Sequence, residues 1–248
     1  MDNDIILEFK NVTKKFPGVV ALNDVSFKIQ RGEIHGICGE NGAGKSTLMK
    51  ILSGVYPRDT YEGSVIFNGE ELLLGQSAIQ EAGNKGIAIV YQELTLVPTM
   101  SVGENVFLGR EPVERGSINW NKLYANTREI LERYQLDVPP NVMVKNLGVG
   151  KMQMVEIAKA LSEKAQVLIL DEPTSALSET EIDKLMDILE TLKSNGITCI
   201  YITHKLEELF RITDRVTVMR DGKEIVTEFT KEKKKKKLVK YMVGREMK

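Results

Sequence analysis

The 248-residue chain has almost no cysteine: Cys38 and Cys199 are the whole inventory, far apart and each inside an apolar, strand-like run. Two such thiols make neither a disulfide framework nor a metal cluster, so a reducing compartment fits and both are expected to be buried and structural. Long apolar runs are missing as well. No stretch reaches the ~18 consecutive apolar residues of a membrane-spanning helix, and the first residues carry no signal-peptide core, so membrane association is expected to come through a partner. Charge of one sign is also lacking, with 34 Lys and Arg against 35 Asp and Glu. That balance gives no basic field to draw in nucleic acid. There is no internal repeat, and the length suffices for one large α/β domain or two modest ones.

What is present is a glycine-rich loop. Residues 39–46 read Gly-Glu-Asn-Gly-Ala-Gly-Lys-Ser, a full match to G-x-x-x-x-G-K-[ST]. The apolar run 34–38 before it suits a buried strand, and a helical pattern follows from Thr47 to Ser53. Strand, loop and helix in that order make a phosphate-binding loop. Gly39, Gly42 and Gly44 let backbone N–H groups approach phosphate oxygens, which Cβ atoms would obstruct, and Asn41 belongs to the same cofactor-binding loop. Lys45 reaches the phosphates as a point charge, Ser46 can ligand Mg²⁺, and Thr47 opens a helix whose positive end faces the anion.

The remaining pattern divides the chain. Residues 5–37 and 63–74 hold short apolar runs broken by turn signals, Asn68-Gly69 among them, and suggest an antiparallel β layer. Apolar, β-branched runs at 86–91, 167–170 and 197–203 suit the centre of a parallel sheet. Between about 101 and 165 the period becomes helical: Leu123, Ile130, Leu131 and Tyr134 share one face, and Met154, Ile157, Ala158 and Leu161 another. β structure returns at 215–219, turns at Asp221-Gly222 and continues through 224–229. Five lysines at 233–237 read as a solvated helix face, or as a contact for acidic lipid headgroups.

Further residues complete a nucleotide hydrolase. The run 167–172 delivers Asp171 and Glu172 at the carboxyl end of a strand, where ligands gather in parallel α/β sheets. Asp171 would hold Mg²⁺ together with Ser46, and Glu172 could polarise the attacking water, worth ~10²–10⁴ in rate as a general base. His204 follows another such strand and could reach a γ-phosphate, and Gln92 ends a third and could sense Mg²⁺ or the water. Phe16, before Pro17-Gly18, could stack on adenine or simply fill the core.

The order Phe16, residues 39–47, Gln92, residues 147–151, Asp171-Glu172, residues 175–178 and His204 resembles the ATPase domain of ATP-binding-cassette proteins over essentially the whole chain. The stretches Gly-Glu-Asn-Gly-Ala-Gly-Lys-Ser-Thr-Leu-Met-Lys, Val-Glu-Ile-Ala-Lys-Ala-Leu and Thr-His-Lys-Leu-Glu-Glu resemble the first ATPase half of monosaccharide importers. Tyr56-Pro57, Tyr61-Glu62-Gly63 and Leu147-Gly148-Val149-Gly150 are most similar to the xylose type. The resemblance implies an α/β fold: a P-loop core with a mostly parallel sheet, an antiparallel β subdomain and an α-helical signature subdomain. It implies one ATPase domain over 1–248, with the β layer at about 1–33 and 60–75 and the nucleotide core at about 34–55, 84–95 and 166–230. The helical subdomain would span about 96–165 and a basic helix about 231–248.

ATP and Mg²⁺ are the implied ligands. Phe16 would be the adenine-stacking aromatic, Glu172 the catalytic carboxylate and His204 the switch histidine. Gln92 would sit in the loop facing membrane subunits, with 94–107 their docking region. Gly148 and Gly150 would belong to the signature that meets the ATP of a second ATPase domain, fused or separate. Membrane-spanning permease subunits are the other implied partners, with a periplasmic or extracellular sugar-binding protein acting indirectly and no nucleic acid. The location implied is cytoplasmic, on the inner face of the membrane. Two other readings stand beside this one: a regulatory ATP-binding domain with little hydrolysis, and a soluble cassette ATPase outside transport.

Two departures matter. The signature of the resembled family usually reads Leu-Ser-Gly-Gly-Gln, and here it is Leu147-Gly148-Val149-Gly150-Lys151. The serine hydroxyl for the opposite γ-phosphate is missing, and Val149 brings a branched Cβ where glycine permits close approach. Ser178 stands where an aspartate is common.

Overall fold

The computed structural model describes residues 5–74, 82–83, 85–230 and 235–243. A long hairpin, β1 (Ile5–Phe16) and β2 (Val19–Gln30), is joined by β4 (Glu62–Phe67) and β5 (Glu70–Glu71) into an antiparallel sheet of order β2-β1-β4-β5. The expected turn at Asn68-Gly69 closes its last hairpin, both residues taking the positive φ that such a turn demands. β3 (Ile34–Cys38), the buried strand expected before the glycine-rich loop, lies in a second sheet.

The second sheet has the order β12-β11-β3-β10-β9-β6, with β6 (Ile87–Val90), β9 (Val167–Asp171), β10 (Thr198–Ile202), β11 (Arg215–Arg220) and β12 (Lys223–Phe229). Its pairings are parallel except β11 with β12, which turn at Asp221-Gly222 as expected. Period 2 sorts its residues between two cores. Ile37, Val167, Ile169, Ile200 and Ile202 pack with the antiparallel layer and with helix α1 (Lys45–Leu52). Cys38, Leu168, Leu170, Cys199 and Tyr201 face the opposite core, shared with the other helices. Both thiols are free and buried, as expected, and burial pushes each up to about 12.

The helices on that side are α2 (Val102–Val106), α3 (Trp120–Arg133), α4 (Val149–Ser162), α5 (Glu179–Ser194), α6 (Leu206–Ile212) and α7 (Lys235–Val243). α3 buries Leu123 and Leu131 as its period requires, with Thr127 between them. α4 is buried over most of its circumference, Gln153 and Glu156 included, which a two-sided pattern does not announce. The region read as wholly helical also contains a two-stranded ribbon, β7 (Val113–Glu114) with β8 (Ser117–Ile118), turning at Arg115-Gly116. The basic run falls partly outside the described residues: the backbone of 235–237 opens α7, and 233–234 are not described.

One polar cluster sits inside the central sheet. His35 of β3 is 0 % exposed, with Nδ1 2.9 Å from Glu33 Oε1 and Nε2 2.8 Å from Thr217 Oγ1, its ring stacked on Phe27. A buried ring nitrogen without a partner carries its full desolvation penalty, whereas removing both partners is far cheaper. Thr217→Val should therefore lower unfolding free energy by about 1–3 kcal/mol, and adding His35→Phe should recover part of that loss. Chemical denaturation of both variants checks this, and a double variant less stable than Thr217→Val alone would contradict it.

Candidate functional site

Parallel register brings separate chain segments to one line. Ile202 of β10 lies opposite Ile37 of β3 on one side and Asp171 of β9 on the other, while Val90 of β6 pairs with Leu170. The strands therefore run out together, and the residues after them, Gly39, Gln92, Glu172 and His204, converge on the carboxyl edge of the sheet. The ladder continues past the strands: the Glu172 N–H donates to Ile202 O at 2.9 Å and the Thr203 N–H to Ile37 O at 3.3 Å.

Between β3 and α1 the loop curls in a way that only glycine allows. Gly44, the N-cap of α1, has φ 104° and no side-chain cap, and a Cβ there would lie 2.7 Å from Ala21 O. At Gly39 a Cβ would lie 2.3 Å from Met219 O. The first N–H groups of α1 are thus left for an anion. Lys45 folds over the loop, its Nζ donating to Gly39 O at 2.8 Å and Glu40 O at 3.0 Å. Burial lowers its ammonium from the ordinary value, opposed by the charges of Glu172 and Asp171.

A cavity of about 610 Å³ opens over this loop, lined by Val19, Val20, Ala21, Asn41, Gly42, Gly44, Lys45, Ser46, Thr47, Gln92, Asp171 and Glu172. The structure thus unites the loop, Gln92 and both carboxylates in one wall. Asp171 is half-buried, and burial, then neighbouring Glu172, raises its carboxyl above the usual range against the pull of Lys45. Glu172 turns off the strand with φ 45°, a left-handed conformation unusual for a branched-off carboxylate residue. Its Oε1 lies 2.8 Å from His204 Nδ1, the acid 22 % and the imidazole 53 % exposed. His204 itself faces a second cavity of about 700 Å³ between α5 and α6, so it meets the first through Glu172.

Phe16, Gly148 and Gly150 stand outside that wall. Phe16 packs edge-on against Tyr56 at 5.5 Å, with the Lys14 ammonium 5.1 Å from its ring, close along the chain to the exposed Val19 and Val20 that do line the cavity. Gly148 caps α4 with open space where a Cβ would be, and Val149 beside it is exposed. Gly150 is buried against Glu181: its N–H donates to Glu181 Oε1 at 3.1 Å, and a Cβ would meet that oxygen. Leu96, in the expected docking stretch, packs against the core, whereas Tyr91, Thr95, Glu156 and Lys159 line a groove of about 200 Å³ beside it.

Glu181 and Glu156 were not singled out by the sequence reading. Glu181 also accepts from the Ser178 N–H at 2.9 Å and the Ser178 hydroxyl at 2.7 Å, and these donors, with the Gly150 N–H, hold its carboxyl below the usual range. Ser178 therefore closes the turn before α5. Glu156, on the buried side of α4, accepts from the Thr95 N–H and, at 2.9 Å, from its hydroxyl, tying the loop after Gln92 to the helix that begins at Val149. Its one signal was an acid inside the apolar run 154–158.

Residues 22–175 match the family described as ABC transporter. The xylose import ATP-binding protein XylG of Thermoanaerobacter pseudethanolicus is 57% identical over 245 residues, 99% of this chain and 48% of that protein. The L-arabinose transport ATP-binding protein AraG of Geobacillus stearothermophilus is 48% identical over 247 residues, again 99% and 48%. The chain thus spans about half the length of the curated relatives it matches. Among solved structures, cbiO1 from Clostridium perfringens, part of the ABC transporter complex cbiONQ, shares 28% identity and a TM-score of 0.80 over 92% of this chain and 90% of that one. The dimeric structure of the cassette MJ0796 has a TM-score of 0.76 at 27% identity, covering 91% and 99%.

A raised carboxyl pKa in the folded chain has a definite sign. The stability that Asp171 contributes by holding its proton is fully present below its ordinary value of 3.8 and is lost as pH rises through the folded value. Unfolding free energies of the wild type relative to Asp171→Asn, measured without nucleotide, should turn against the wild type as pH rises from 3.8. A difference that moves the other way would contradict the assignment.

Proposed function

The chain belongs to the ABC transporter family, and on that premise we propose that it is an ATP-binding and ATP-hydrolysing domain that powers import of a monosaccharide. The observation that carries the hydrolytic part is the Glu172–His204 contact of 2.8 Å at the rim of the cavity that Lys45, Ser46 and Asp171 line. Glu172 polarises the attacking water, and His204 fixes that carboxylate through Nδ1 from the side of the neighbouring cavity. The loop N–H groups and Lys45 neutralise the phosphates, Lys45 exchanging two neutral carbonyl partners for an anion. Val19 and Val20 offer the apolar surface for the base, with Phe16 packed on Tyr56 beside the cavity.

The donor set suits Mg²⁺: the Ser46 hydroxyl, the Gln92 amide and the Asp171 carboxylate are hard oxygen donors on one wall, and this ion takes few protein ligands beside phosphate and water. When bound it offsets the charge of the β- and γ-phosphates.

Residues 1–248 act in this reading as a single ATPase domain, with the β layer, nucleotide core and helical part bounded as the sequence suggests. Its partner is a second ATPase domain, which supplies a signature to this phosphate loop and receives the one at Gly148. The groove beside Thr95 and Glu156 receives a helix of the membrane-spanning subunits, of which Tyr91, 43 % exposed, is an accessible contact. The domain works on the cytoplasmic face, and a sugar-binding protein on the other side delivers the substrate. Xylose is the sugar favoured by the resemblance in sequence, although a relative with an arabinose name is only 9 percentage points less identical, 57% against 48%. A second reading, a regulatory domain with little turnover, is favoured by the altered signature.

MgATP hydrolysis measured against protein concentration tests both. Specific activity that rises with concentration, and that Glu172→Gln lowers by roughly 10²–10⁴, supports a working sandwich of two copies. Tight ATP binding with a rate that Glu172→Gln does not change supports the regulatory reading instead. Gly148→Ser with Val149→Gly restores the usual donors at a position with room for them, and should raise turnover of the self-paired chain. Unchanged turnover in a variant that still dimerises would count against the signature's role.

A further inference from the structure

Beneath the Glu172–His204 pair lies a carboxylate that the mechanism does not use. Glu208, on α6, is 7 % exposed. Its Oε1 accepts from the Thr174 hydroxyl at 2.6 Å and lies 3.2 Å from Lys205 Nζ. Its Oε2 accepts from the Tyr201 hydroxyl at 2.7 Å and from the Thr203 hydroxyl at 3.4 Å. The ring of contacts closes on itself, since Lys205 Nζ also reaches Thr174 Oγ1 at 3.1 Å and the Lys205 N–H donates to Thr203 Oγ1 at 3.0 Å.

Every partner is next to the proposed catalytic pair. Thr174 is two residues beyond Glu172, Thr203 and Lys205 flank His204, and Tyr201 anchors the strand that delivers it. Two chain segments thus meet on one buried carboxylate, while above it the side chains they carry meet each other at 2.8 Å. Burying a charge here is costly compared with apolar packing of the same volume. Burial and the nearby Glu208 charge push the Tyr201 hydroxyl well up, which keeps it a donor at every working pH.

We propose that Glu208 is a positioning residue for hydrolysis: it locks the turn after Glu172 to the segment carrying His204 and so sets the contact between them. This rests on the reading of Glu172 and His204 as the hydrolytic pair. Misplacement of a reacting group by about 1 Å costs on the order of 10²-fold in rate. Glu208→Gln keeps the shape but loses the charge and one of its two accepting oxygens, so the hydroxyl of Thr174 or Tyr201 must give up its donor role there and Lys205 loses its counter-charge.

The experiment compares wild type, Glu208→Gln, His204→Ala and the double variant in the full chain, reading turnover, MgATP affinity and the imidazole resonances of His204. With only two histidines in the chain, His35 being the other, those resonances are readily assigned. Glu208→Gln should lower kcat roughly 10- to 100-fold, leave the Kd for MgATP within a factor of two, and move the His204 signals toward those of Glu172→Gln. In the His204→Ala background it should add little further loss. A folded Glu208→Gln with wild-type kcat and wild-type His204 signals overturns the proposal, as does a loss that multiplies in full with that of His204→Ala. If Glu208→Gln does not fold, Thr174→Val removes one arm of the lock, and it should show a smaller kcat loss at unchanged affinity; normal turnover there also overturns the proposal. His204→Ala and Glu172→Gln that each keep full turnover would instead overturn the hydrolytic pair, and this inference with it.

Discussion

The site depends on the register between β3, β10 and β9. Side chains alternate across a strand, so a slip of one residue would send Asp171 to the other face and move Glu172 and His204 out of line. Two cores hold the register: Ile37, Ile169 and Ile202 face the antiparallel layer, and Cys38, Leu170 and Tyr201 face the helices. Because backbone bonds run on from Ile202 to Glu172 and from Ile37 to Thr203, the residues beyond the strands inherit the rigidity of the sheet. The left-handed turn at Glu172 is tolerated for this reason: a strained backbone persists when its surroundings over-determine it.

Three glutamates then fasten the helices to this edge. Glu156 holds the loop after Gln92 to α4, Glu181 holds the start of α4 to the turn before α5, and Glu208 holds α6 to the turn after Glu172. An ionised carboxylate accepting N–H or O–H donors makes stronger and shorter bonds than neutral pairs do. Apolar contacts alone would stabilise the same helices but allow them to slide. With these ties, the phosphate cavity, the signature and the groove beside Thr95 are successive links of one chain of contacts.

Much of this was legible where the chemistry is contiguous. The phosphate loop shows in eight consecutive residues because its donors come from one turn of chain, and Asp171-Glu172 show because an apolar run delivers them. His204 was harder, since its meaning comes from β10 lying beside β9. The three glutamates were not legible, for their partners are 61, 31 and 34 residues away and an acid on a helix reads as a solvated face. The ribbon at 113–118 was missed because strands of two residues carry no period. For Phe16 the sequence left stacking or packing open, and the structure gives it a packed edge on Tyr56 beside the cavity rather than a place in its wall.

The altered signature is informative for where its changes fall. Gly148 has space for a larger side chain and Val149 is exposed, so packing within this domain requires neither departure from Ser and Gly. Gly150, whose Cβ would strike Glu181, is the one position of the three that the domain's own packing restricts, and it keeps the usual residue. The departures at Gly148 and Val149 thus fall where packing within this domain is open, whereas Ser178 bonds Glu181 inside it. In the proposed sandwich of two ATPase domains, Gly148 and Val149 would face the nucleotide held by the other one. On that proposal their cost would fall on that distant site, while Lys45, Asp171, Glu172 and His204 would complete the site of this domain. On the proposed reading, an intact loop and a weakened signature in one chain would suit one half of an asymmetric pair, in which the two ATP molecules meet different chemistry.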